Sequence, residues 1–174
     1  MRIISGKHKG KRIVTPNNLT IRPTTDRAKE ALFNILNCRY YFNGKNVLDL
    51  FAGTGNISYE FASRGVEEIT CVDINYNCIR FIDTNSEQLK VNISTIKSDC
   101  LEYLKKCRKQ FNFIFADPPY NYENYQVLVE FVKVNNLVKD DGCLIIEHDK
   151  TTSFEDNNAE LRKYGTVHFS IFSF

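Results

Sequence analysis

Asp117-Pro118-Pro119-Tyr120 places a carboxylate, two prolines and an aromatic ring in four consecutive residues. The prolines remove two backbone donors and fix two φ angles, so the corner is stiff. It follows Asn112–Ala116, the most apolar strand-like run of the chain. Open α/β sheets bind ligands at such strand ends. A planar amine suits the corner: Asp117 and the Pro118 carbonyl can accept from its two N–H groups, while Tyr120 stacks on its ring. The lone pair of a nucleobase amine is delocalised. Hydrogen bonds that favour a pyramidal nitrogen would free it to attack a methyl group in line.

A second constellation, Asp49-Leu-Phe51-Ala-Gly53-Thr-Gly55, follows an earlier apolar run and opens a helix. Glycines there permit a tight turn and close backbone approach to a ligand. The third glycine of a dinucleotide fingerprint is missing, since Ser58 stands in its place, and Asp49 would repel a pyrophosphate. A ligand with a cationic amino-acid end fits better. Asp73 ends the next strand, twenty residues after Gly53, where a carboxylate can accept from both ribose hydroxyls of an adenosine; alternatively it caps the following helix. Asp99-Cys100 follows the third strand, and Asp99 could accept from an adenine amine or cap a helix. Phe51, Ile74 and Cys100 flank these positions and join them as candidate ligand-site residues.

These residues need a scaffold that gathers strand ends. Residues 46–51, 68–73, 94–97, 112–116 and 143–148 read as strands, and 57–63, 75–90, 100–107 and 125–134 as helices. Thr24 or Thr25 caps an earlier helix from Asp26, and Glu160–Phe172 reads as two strands turning near Gly165. Alternating strands and helices give a mainly parallel sheet with helices on both faces. Residues 1–25 read as an extension, a β-hairpin with the basic loop Gly6–Gly10 followed by a loop, and 26–174 as the single domain.

Composition narrows the setting. The 43% hydrophobic and 25% charged content is that of a globular protein, and no apolar run is long enough to span a bilayer. The six cysteines form no C-x-x-C pair, which argues against a zinc ribbon, and most of them read as reduced core thiols in the cytoplasm. His8, His148 and His168 lie apart without ligand spacing, so no metal is expected, and His148 is expected at the surface. Residues 1–30 carry eight Lys/Arg against two acids, whereas the rest of the chain is net acidic. Lys7, Lys9, Lys11, Arg12, Arg22 and Arg27 thus mark a basic head suited to a nucleic-acid backbone.

DLFAGTG at 49–55, Asp73 and DPPY at 117–120, in that order, resemble the class I methyltransferases that modify exocyclic amines. Arg2–Arg12, Arg22–Arg27, Glu30–Leu36, Ala62–Gly65 and Tyr164-Gly165 extend the match nearly end to end. Together they resemble the RsmD family of bacterial small-subunit rRNA guanine-N2 methyltransferases. The resemblance implies a Rossmann-like, seven-stranded, mostly parallel sheet with an antiparallel strand near one edge. It implies S-adenosylmethionine as methyl donor, S-adenosylhomocysteine as product, and guanine N2 of 16S rRNA in the small subunit or its assembly intermediate as target. A monomer is expected. By position, Asp49, Gly53 and Gly55 would line the donor's amino-acid end, Asp73 its ribose and Asp99 its adenine. Asp117, Pro118 and Tyr120 would hold the guanine, and Arg22, Thr24, Asp26 and Arg27 an RNA-facing entrance. Ser58 departs from the glycine usual in the family.

Three other readings share some of these features. An adenine-N6 DNA methyltransferase shares DPPY but usually carries a target-recognition region, for which 174 residues leave no room. Glutamine methyltransferases usually begin the corner with Asn rather than Asp117. A catalytically silent RNA-binding assembly factor would not need the intact corner.

Overall fold

In the computed structural model, residues 1–16, 19, 24–154 and 159–174 are described; Arg22, expected at the RNA entrance, lies outside them. Helix α1, Asp26–Arg39, begins where the Thr25 hydroxyl accepts from the Ala28 N–H at 3.2 Å, so Thr25 is the cap. Leu32, Phe33 and Leu36 bury one face of it. Four strand–helix steps and a fifth strand follow: β1 Asn46–Leu50, α2 Asn56–Ser63, β2 Glu68–Asp73, α3 Tyr76–Leu89, β3 Ile93–Lys97, α4 Cys100–Lys106, β4 Phe111–Ala116, α5 Tyr125–Val134 and β5 Val138–His148. The hairpin β6 Ala159–Tyr164 and β7 Val167–Ser173 ends the chain, turning at Gly165 as expected.

The strands form one sheet in the order β3-β2-β1-β4-β5-β7-β6, with β7 antiparallel to both its neighbours and the remaining pairs parallel. This is the Rossmann-like class I methyltransferase arrangement, with helices on both faces. Strand residues alternate between two cores. Val47, Phe113, Phe115 and Ile145 pack with α1 and α2; Leu48, Ile114, Ala116 and Ile146 pack with α4 and α5. The central strands β1 and β4 are buried along their whole length, which accounts for their continuous apolar runs.

The last parallel strand starts earlier than residue 143. Phe111 pairs with Val138 and Phe113 with Cys143, so residues 139–142 loop out between two paired segments. Asp141 there has φ 60°, and a Cβ on Gly142 would stand 2.5 Å from the Asn112 carbonyl. Glycine is required at that bulge, and its turn-like composition hid the first paired residue.

The N-terminal hairpin is present but short, with one antiparallel bridge, Arg2 to Arg12. Its outgoing arm turns its backbone donors toward α2 instead. Ile4 N and Ser5 N donate to the Glu60 carboxylate at 2.7 and 3.1 Å, and Lys7 N donates to the Ser63 carbonyl at 2.7 Å. Gly6 permits the approach: its φ is 82°, and a Cβ would collide with the Ser63 oxygen at 1.8 Å. Below the arm, Lys29 and Glu60 are fully buried. Lys29 Nζ donates to the Arg2 carbonyl and to Asn56 Oδ1, both at 2.7 Å, and lies 3.8 Å from Glu60 Oε2. Arg64 Nε donates to Glu60 Oε1 at 2.8 Å. Burial lowers the Lys29 pKa, and the Glu60 charge opposes that shift.

Removing one partner of a buried ion pair leaves the other uncompensated. Glu60→Ala is therefore expected to destabilise the protein by about 3–5 kcal/mol. Urea unfolding would measure the loss, and hydrogen exchange should show the Ile4 and Ser5 amides losing protection.

Candidate active site

The carboxyl ends of β1, β2, β4 and β5 share one edge of the sheet and border a cleft of about 430 Å³. Phe51, Gly53, Asp73, Ile74, Asn75 and Cys78 line one side. Asp117, Pro118, Pro119, Tyr120, Glu147 and Val167 line the other, with Thr24 and Thr25 ahead of α1. The two constellations richest in chemistry thus face a common space.

The first loop is held in left-handed conformations at Phe51, Gly53 and Gly55, with φ of 61°, 54° and 75°. Its Gly53 N–H donates to Asp73 Oδ2 at 2.7 Å, while the Asn75 N–H donates to Oδ1 at 2.7 Å. Each Asp73 oxygen keeps acceptor capacity beyond that single bond. The carboxylate is therefore oriented by backbone at the cleft wall. Asn75 caps α3 through the Asn77 N–H, so Asp73 is released from that duty. Phe51 is buttressed edge-on by Tyr122, their ring centroids 5.2 Å apart.

Asp49 lies one layer deeper. It is 2% exposed and borders a small void of about 30 Å³ shared with Thr24, Gly53 and Asp117. Ser58 Oγ donates to its Oδ2 at 2.6 Å and stands 3.0 Å from Cys71 Sγ. Burial pushes the Asp49 carboxyl up to about 7, against the opposing effect of the Ser58 bond. The side chain that replaces glycine at 58 thus partners the acid under the loop.

At the corner, Asp117 N donates to the Leu50 carbonyl at 3.4 Å, extending the β1–β4 ladder by one residue. The Tyr122 N–H closes the turn on the Pro119 carbonyl at 2.8 Å. Tyr120 is 40% exposed, and its ring stands at the mouth of the cleft.

Several residues stand elsewhere than expected. Gly55 caps α2 at φ 75°, and a Cβ there would press on Tyr59 and Ile82 at 3.0–3.1 Å. Asp99 caps α4, accepting from the Leu101 and Glu102 N–H groups at 2.9 and 3.1 Å, and Cys100 is buried in the core beneath it. Thr24 is buried, with its hydroxyl donating to Glu147 Oε2 at 2.7 Å; it lies inside the cleft rather than on an open entrance. His148, expected at the surface, is 1% exposed. Its Nε2 and Ser170 Oγ hydrogen-bond at 2.8 Å, because β5 and β7 pair across it. Lys7, Lys9, Lys11, Arg12 and Arg27 are all exposed. The arm runs along α2 from Arg2, near Asn56, to Lys7 at Ser63, so its basic loop lies roughly 12 Å from the cleft end of that eight-residue helix.

The sequence reading missed Glu147, Asn75, Cys78 and Val167 in the lining. Glu147 could have been found only by knowing that β5 lies beside β4. Among the described residues, no cluster of three or more His, Cys, Asp or Glu could hold a metal ion, and no helix is long and apolar enough to cross a membrane.

A family model described as "Conserved hypothetical protein 95" matches residues 1–173. The chain is 30% identical over 179 residues to "Ribosomal RNA small subunit methyltransferase D" of Buchnera aphidicola, covering 99% of this chain and 91% of that protein. The protein of the same name from Haemophilus influenzae is 30% identical, covering 86% of this chain and 79% of the relative. A hypothetical protein from Thermus thermophilus superposes with a TM-score of 0.89 at 25% identity, over 100% of this chain and 99% of that one.

An acid whose folded pKa lies above its ordinary value favours the fold while protonated and opposes it once ionised. The ordinary value is 3.8 and the folded one about 7, so Asp49 should weaken folding progressively as pH rises between them. Asp49→Asn is expected to gain stability relative to the wild type across that window, read as a urea-midpoint difference that grows toward neutral pH. A difference that stays constant with pH would contradict the assignment.

Proposed function

The chain belongs to the family described as conserved hypothetical protein 95, the RsmD family, and on that premise we propose that it methylates the exocyclic N2 of a guanine in small-subunit rRNA. S-adenosylmethionine is the proposed donor. The observation that carries the reading is that the Asp117–Tyr120 corner faces Asp73 across a single cleft.

The residues present fit that donor. The Asp73 carboxylate, pinned by the Gly53 and Asn75 amides, suits a ribose diol, and Phe51, Ile74 and Cys78 form apolar wall beside it. Asp49 sits below the loop where an ammonium would favour its ionised form. Asp99 stands at the far strand end, where its cap on α4 coexists with a role toward adenine. The donor supplies a methyl group on a cationic sulfur.

The protein's own part is to hold the amine. Asp117 and the Pro118 carbonyl accept from the two N–H bonds of guanine N2, favouring pyramidal nitrogen and exposing its lone pair. Tyr120 stacks on the base at the cleft mouth. The proline pair makes these acceptors rigid, and such positioning can supply about 7–11 kcal/mol of the barrier reduction. Once methylated, the amine carries a surplus proton, and the Asp117 carboxylate is the acceptor already bonded to it. The exposed cations of the arm and Arg27 lie along the route of the RNA backbone, where phosphate contacts position without specifying the base.

Mass mapping of rRNA nucleosides from a deletion strain, with and without complementation, tests the reading. N2-methylguanosine should vanish and return; an adenosine product or no change would overturn it. Asp117→Ala should lower turnover by about 10²–10³-fold, read as methyl transfer to small subunits from the deletion strain. Lys9→Ala or Arg12→Ala should weaken RNA binding, reduce the salt slope by about one, and leave donor affinity intact by calorimetry.

A further inference from the structure

The corner alone does not choose a base, because an amine with two N–H groups is common to guanine, adenine and cytosine. The bases differ in the ring nitrogen beside that amine. Guanine presents N1–H, a donor; adenine and cytosine present a lone pair. A second acceptor beside Asp117 would therefore select guanine.

Glu147 stands in that place. On β4 and β5, Phe115 pairs with Ile145 and Ala116 with Ile146, so one step further Asp117 lies beside Glu147. Parallel neighbours are about 4.8 Å apart. By alternation both side chains project to the α1–α2 face, opposite Ala116 and Ile146. Both line the same cleft, and Glu147 is 3% exposed. Its orientation is built in. The Thr24 hydroxyl donates to Oε2 at 2.7 Å, and the Thr24 carbonyl accepts from Asn56 Nδ2 at 3.1 Å. Asn56 Oδ1 in turn accepts from buried Lys29, which also donates to the Arg2 carbonyl. A buried carboxylate fixed by this chain is a preorganised reader.

We propose that Glu147 is a specificity-determining residue, accepting from guanine N1–H while Asp117 and Pro118 hold N2. The assignment rests on the guanine reading above. A carboxylate oriented by the Thr24 hydroxyl presents acceptor lone pairs, which pair with N1–H and repel the N1 lone pair of adenine. Thr24 is its positioning residue.

The test uses the full chain with Glu147→Gln and Glu147→Met. Calorimetry with S-adenosylhomocysteine reads donor affinity, and thermal melting reads folding. Methyl transfer to small ribosomal subunits from cells lacking this gene reads kcat/KM, with the product identified as a nucleoside. Both variants should bind S-adenosylhomocysteine within about threefold of the wild type while kcat/KM falls about 10–100-fold, the size expected for a lost base contact. Should Met fail to fold, Gln decides, since its amide retains a partner for Thr24. Wild-type kcat/KM in a folded variant overturns the assignment, leaving Glu147 an anchor for Thr24. A wild-type enzyme that makes no N2-methylguanosine instead overturns the underlying function.

Discussion

The parallel pairing of β4 between β1 and β5 is the constraint on which the rest depends. Asp49 pairs with Phe115, and Phe115 with Ile145, so three strand ends are set in fixed register. Register cannot slip by one residue without turning every buried side chain to the opposite core. The cores differ in shape: Phe33, Phe42, Phe61 and Phe113 interlock edge-to-face and stacked on one side, while α4 and α5 cover the other. The positions of Asp117 and Glu147 at the cleft are therefore consequences of packing well below it.

Within that frame, acids of the same chemistry are given different environments. Asp49 has little solvent and one hydroxyl donor, and burial raises its carboxyl pKa. Asp73 is solvated and receives two backbone N–H bonds, which suits an acceptor. Asp99 points its carboxylate at the start of α4, where helix N–H groups need a partner. Burial and donor count, rather than residue type, divide the labour among them.

The N-terminal arm shows how a short extension can be fixed without a strand ladder. Its backbone donors end on a buried carboxylate, and that carboxylate is balanced by a lysine and an arginine from two helices. The same lysine continues through Asn56 to Thr24 and the cleft. The arm's backbone and the cleft are thus ends of one bonded network.

The alternation of strands and helices, the basic head, the stiff DPPY corner and the glycine loop are legible in the residues, because each depends on neighbours within a few positions. Hydrophobic period, proline geometry and turn chemistry are local. The resemblance carried the antiparallel strand near one edge as well. Where each acid stands came from the fold as a whole. The sequence left Asp73 and Asp99 each between capping and ligand binding; strand order and helix starts make Asp99 the cap of α4 and leave Asp73 at the cleft wall. Thr24 on Glu147, Ser58 on Asp49 and Lys29 near Glu60 are contacts between residues 9 to 123 positions apart. No local pattern encodes such pairs, since they arise when the sheet closes and buried polar groups must find partners away from water.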